Sequence, residues 1–208
     1  MPALSKTDEI IALASKGLIR ARDLDRLEIP RAYLKRLVTR KQLQKAGRGL
    51  YMASDAPLTE LHSLAEVSKR APNATVCLLS ALQVHQLTTE VPGAVWLLIA
   101  THTRPPKIES PNIEIVRASG PALTTGTEVR DIEGVSVRIT TPAKTVADCF
   151  RYRRHVGLEV AIAALRDYLS KSRRGRSKPK MSPVEELIIA AKADRVLRFM
   201  TPYLEALS

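Results

Sequence analysis

The sequence predicts an α+β chain: an N-terminal winged helix-turn-helix followed by a larger mixed α/β C-terminal domain. Three observations lead there. Short segments with a helical apolar period run into two strand-like stretches joined by Gly47, Arg48 and Gly49. The region from Ile29 to Met52 holds seven Lys or Arg and no Asp or Glu. A proline-containing linker, Ala53 to Glu60, then precedes a region where strand-like and helix-like runs are mixed.

Ser5 and Asp8 stand three apart in a capping-box pattern, and Ile10, Ile11, Leu13 and Ala14 continue it as an apolar stripe that stops at Gly17. A second short helix fits Ala21 to Leu27, with Leu24 and Leu27 on one face and Asp23 and Asp25 near its positive end. Pro30 suits the first turn of a third helix, where its missing N–H costs nothing. On that helix Leu34, Leu37 and Val38 share a face, so Ala32, Lys35, Arg36, Thr39 and Arg40 point outward. Tyr33 lies on the flank as a packing residue. The runs LQKA and LYMA then form a hairpin whose glycine-bearing turn tolerates positive φ. The linker divides the chain into residues 1–55 and 58–208.

Beyond it, strands are expected at Thr75 to Leu79, Val95 to Thr101, Asn112 to Arg117 and Val135 to Thr140. Helices are expected at Leu58 to Arg70, Ser80 to Leu87, Pro142 to Arg153, Leu158 to Ser170, Pro183 to Lys192 and Asp194 to Leu207. The run from Ser170 to Lys180, with six cations, reads as a mobile basic loop.

The formal charge of +12 favours a polyanionic partner, because Lys and Arg that neutralise phosphates release condensed counterions. The expected partner of the first segment is double-stranded DNA. An α-helix fits the major groove and Arg can fork onto guanine, while wing cations grip flanking phosphates. The residues expected to make these contacts are Arg31, Lys35, Arg36, Thr39, Arg40, Lys45 and Arg48. A second cationic cluster, Arg151, Arg153 and Arg154, has two readings: ion pairs within its own domain, or contacts to a partner or nucleic acid.

Other classes lack their residues. The four histidines are scattered, with neither HExxH nor a Cys–His ligand set, and no phosphate-cradling GxxxxGK[ST] or GxGxxG occurs. Neither catalysis nor a metal or other cofactor is therefore expected. Asp148 reads as a cap or a partner of Arg151 rather than a metal-binding acid. Cys77 and Cys149 read as two buried thiols in a reducing compartment. The absence of a long apolar run or secretory pattern points to the cytoplasm and to no membrane partner.

The stretch GLIRARDLDRLEIPRAYLKRLVTRKQLQKAGRGLYM resembles the N-terminal winged-helix segment of AbiEi-family antitoxins, the repressor half of type IV toxin–antitoxin systems. Two further stretches, CLLSALQVHQLTTEVPGAVWLLIATHTRPP and TTPAKTVADCFRYRRHVGLEVAIAALRDYL, resemble the C-terminal domain of that family. Departures fall at Glu28 and Lys41, where the family often has glycine. The resemblance implies repression of the chain's own operon and neutralisation of a cognate nucleotidyltransferase-type toxin. The alternative is a stand-alone winged-helix regulator whose larger domain senses a small ligand in an apolar pocket with a few convergent polar groups.

Overall fold

The computed structural model of the chain describes residues 5–56, 59–174 and 181–207. They form two compact units: residues 1–70 with 130–137, and residues 71–129 with 138–208. The expected linker, Ala53 to Glu60, thus lies inside the first unit.

In the first unit α1 (Lys6–Ala14) starts on the expected capping box: Asp8 N–H donates to Ser5 Oγ at 3.2 Å, and the Asp8 carboxylate accepts the Ser5 N–H at 3.3 Å. A two-residue strand, β1 (Ile19–Arg20), leads into a 3₁₀ helix (Ala21–Leu27). Then come α2 (Ala32–Thr39), β2 (Leu43–Gly47), β3 (Leu50–Ala53) and α3 (His62–Arg70). The strands form an antiparallel sheet in the order β1-β3-β2. Ile10, Ala14, Leu24, Ile29, Leu34, Leu37 and Leu43 close the core beneath it. This is the winged helix-turn-helix expected from the sequence, with β1 added and Pro30 standing just ahead of α2.

The 3₁₀ helix and α2 both end in the left-handed region without glycine. Glu28 has φ 54° and Lys41 φ 56°. Each stop is held by paired backbone bonds, Ile29 N–H to Leu24 O and Gln42 N–H to Leu37 O among them. The two sites that depart from the family pattern therefore keep the backbone glycine would provide. Residues 130–137 belong to this unit through a close backbone approach. A Cβ on Gly134, where φ is +69°, would stand 1.7 Å from Lys16 O, and Leu18 N–H donates to Glu133 O at 3.3 Å.

A mixed sheet in the order β6-β5-β4-β8-β7 comprises β4 (Thr75–Val76), β5 (Val95–Ala100), β6 (Ile113–Ala118), β7 (Thr127–Ile132) and β8 (Val135–Thr140), and all of it but residues 130–137 of β7 and β8 belongs to the second unit. β5 runs parallel to β6 and β4 parallel to β8, while β4 and β5 are antiparallel. Its helices are α4 (Leu78–Val84), α5 (Pro121–Thr124), α6 (Pro142–Arg151), α7 (Arg153–Val156), α8 (Leu158–Arg174), α9 (Pro183–Ala193) and α10 (Leu197–Leu207). Leu82, Leu98, Val146, Phe150, Leu165 and Leu187 are among the residues of its core. Cys77 and Cys149 are buried free thiols, as expected, and burial pushes the Cys77 thiol well up.

Four expectations are corrected here. The helix expected to end at Arg153 breaks at Tyr152, so Arg151 and Arg153 sit on different helices. Helix α8 continues through Ser170 to Arg174, and Lys171 Nζ donates to the carbonyls of His85 and Gln86, so the basic run begins as anchored helix. Its remainder, 175–180, lies outside the described residues. The helix expected from Asp194 starts at Leu197, because Asp194 caps α9 and Arg195 turns left-handed at φ 59°. Asp148 does not pair with Arg151. It shares Lys144 with Asp194 in a fully buried triad, in which Lys144 Nζ bonds the Asp148 carboxylate and lies 2.9 Å from Asp194 Oδ1.

Candidate nucleic-acid interface

The alternation that buries Leu34 and Leu37 leaves Ala32, Lys35, Arg36, Thr39 and Arg40 exposed on α2. Tyr33 is half-buried, and the Arg36 guanidinium carbon lies 5.7 Å from its ring centroid, a cation–π contact that restricts the long side chain. Thr39 Oγ1 donates to Lys35 O at 3.1 Å, so its hydroxyl is turned back onto the helix. Arg31 stands at the N-cap and forks onto Asp25, with Nε 3.0 Å from Oδ1. Hydrogen bonding to Arg31 holds the Asp25 carboxyl below its ordinary value, against a smaller opposing effect of desolvation. Of the seven cations, Arg31 is thus already engaged with an acid in this conformation.

The wing is the β2–β3 hairpin. Lys45 pairs with Tyr51 across the ladder, a register shift follows, and Gly47 pairs with Leu50. Lys45 and Arg48 are both exposed. Gly49, at φ 73°, supplies the positive φ of the turn and has open space around it.

One contact at the wing's base escapes sequence reasoning. His62 on α3 places Nε2 3.0 Å from Ala46 O and Nδ1 2.6 Å from Glu133 Oε2. Glu133 also accepts from Thr59 N–H and Oγ1, both at 2.8 Å. Burial alone would lower the His62 pKa, but the Glu133 carboxylate, the Ala46 carbonyl and the nearby Glu66 outweigh it and the value rises. Burial pushes Glu133 up, and the Thr59 and His62 bonds more than reverse this. A histidine 71 positions from its acid leaves no spacing signal.

Residues 8–53 match the family described as transcriptional regulator, AbiEi antitoxin. The match lies wholly within the first unit. The matched segment contains α2 and the whole wing, and stops at Ala53, where β3 ends. Across 99% of this chain and 83% of the other, the fold is also similar to the crystal structure of RV2827C protein from Mycobacterium tuberculosis, at 13% identity and a TM-score of 0.55. That likeness extends beyond residues 8–53 and concerns fold alone. No curated protein matches the chain.

The second cationic cluster is divided. Arg151 donates to Asp194 O at 2.8 Å and stacks on Tyr152, 5.5 Å from the ring centroid. Arg153 donates to Phe150 O at 2.9 Å and lies 4.1 Å from the Phe199 centroid. Arg154 is exposed. Among the described residues no group of three or more His, Cys, Asp or Glu is placed to hold a metal ion, and no helix is long and apolar enough to cross a membrane.

Proposed function

We propose that the chain is an antitoxin and autorepressor: its AbiEi domain binds duplex DNA in its own promoter, and residues 58–208 neutralise a cognate nucleotidyltransferase-type toxin. The observation that carries the DNA reading is that Lys35, Arg36, Arg40, Lys45 and Arg48, from a segment without Asp or Glu, are all exposed along α2, its C-cap and the wing. In this reading α2 enters the major groove, where Arg36, steadied by Tyr33, reads a base edge. Lys35, Arg40, Lys45 and Arg48 meet phosphates, and Arg31 and Thr39 lie at the margins of the contact. The neutralising role rests on the resemblance of the two C-terminal stretches, with Arg154 a candidate contact to the toxin or to nucleic acid.

A mobility-shift titration tests the DNA contacts. Four phosphate contacts give a slope of log affinity against log salt of roughly −3.6. Arg36→Ala is expected to cost about 1 to 3 kcal/mol on the promoter and to relax sequence preference, whereas Lys45→Ala weakens every sequence alike. A flat salt dependence, or equal losses on promoter and random DNA for both variants, defeats this assignment.

A further inference from the structure

The second unit contains a concavity of about 480 Å³ whose lining includes Arg151, Lys192 and Arg195 and no acidic residue. The nearest carboxylate in sequence, on Asp194, is buried and turned onto Lys144, and it offsets Arg151 only in part. Each cation comes from a fixed stretch of backbone. Arg151 is tied to Asp194 O at 2.8 Å and against Tyr152. Lys192 is in the last turn of α9. Arg195 follows in the left-handed region, held by its own N–H on Lys192 O at 3.1 Å and by Val196 N–H on Ala191 O at 2.9 Å. The C-terminal end of a helix carries about half a negative charge, which with the partial offset of Arg151 by Asp194 leaves an excess of about two positive charges.

The remaining lining sorts by chemistry. Ser119 and Thr125 bring hydroxyls that can donate to an anion's oxygens. Pro121, Ala122 and Ile189 form an apolar edge, and Ile189 is 46% exposed although it is a large aliphatic residue. A phosphate monoester carries about −1.5 to −2 charges and three acceptor oxygens, which matches the excess and the forked guanidinium geometry. The volume falls in the range of about 300 to 1,000 Å³ used for small-molecule sites.

We propose that this concavity binds a small phosphorylated ligand of the mononucleotide class, its phosphate held by Lys192, Arg195 and Arg151 and its sugar or base lying on the Pro121 and Ile189 edge. The site gives the second unit an input of its own, whether or not that unit neutralises a toxin. The test is an amide NMR titration of the full chain at low salt with inorganic phosphate and, separately, with adenosine monophosphate. Saturable shifts are expected at residues 119–125, 151 and 189–195, with the nucleotide binding more tightly than phosphate. Lys192→Gln with Arg195→Gly is expected to weaken both ligands about tenfold or more. Glycine accepts the left-handed backbone at 195, so this variant keeps the turn. Arg36→Ala with Lys45→Ala is expected to leave binding unchanged. The proposal is overturned by the absence of saturable shifts, by equal affinity in the Lys192/Arg195 variant, by shifts spread evenly over α2 and the wing, or by a nucleotide that binds no better than phosphate.

Discussion

His62 sits between a carboxylate and a carbonyl, two acceptors that are both satisfied only when its ring carries two protons. A proton here ties the wing strand to the 130–137 segment through Ala46 and Glu133. The folded-state pKa of His62 is raised above 6.5, so its contribution to stability is fully present below 6.5 and is lost as pH rises through the higher folded value. Glu133 acts in the opposite sense: its folded pKa is lowered from 4.5, so its contribution is present above 4.5 and is lost as pH falls through the lower value. The clamp is complete between these limits. Beyond the bonded pair, the charged neighbours are Glu66, which raises the His62 pKa, and Arg70, which lies 3.2 Å from Glu66. An NMR titration of the His62 ring is expected to give a midpoint above 6.5 that falls in Glu133→Gln. A midpoint at or below 6.5, unmoved by that substitution, contradicts the clamp.

At the scale of elements, α6 owes its position to an ion triad as well as to its apolar face. Lys144, Asp148 and Asp194 are all at most 1% exposed, and they join α6 to the C-cap of α9. Burial pushes the Asp148 carboxyl up, and Lys144, which it shares with Asp194, opposes the rise. Lys144→Ala leaves buried carboxylates without their cation and is expected to cost about 3 to 5 kcal/mol in urea unfolding. Adding Asp148→Asn should recover part of that loss; a single-variant cost below about 1 kcal/mol would show that water reaches the triad. None of this was legible, because lysine is rarely buried and Asp194 stands 50 positions away. What was legible followed from local rules: the Ser5 capping box, the Leu34, Leu37 and Val38 stripe of α2, and the glycine-bearing wing turn. One stop without glycine misled: α4 ends at Val84, short of the expected Leu87. Gln86 and Arg195 end α4 and α9 at positive φ, and neither residue type announces a stop.

Across the whole molecule, cations outnumber acids by 12, yet only those that meet phosphate contribute to the salt dependence of DNA binding. The linker seen in sequence suggested that the chain could be cut near residue 58. The first unit instead reaches to Arg70, because α3 brings His62 to the wing, Glu66 against Gly47 and Lys69 within 3.5 Å of Asp23. A fragment beginning at residue 58 would strip His62 of its bond to Ala46 and Glu133 of its packing on Gly17, so loss of protection by such a fragment could reflect damaged folding alone. The separation of repression from neutralisation is better tested in the full chain. Arg36→Ala with Lys45→Ala changes two exposed side chains and leaves the core intact, so stability should stay within about 0.5 kcal/mol of the parent. Promoter binding is expected to fall steeply while co-expression with the cognate toxin still protects cells, because the stretches that resemble the antitoxin domain lie wholly after residue 76. A variant that keeps its parent's circular dichroism and urea midpoint, loses promoter binding and also loses protection would sink the division of labour. Neutralisation would then act through the DNA-binding face, and control of transcription would become the antitoxin activity itself.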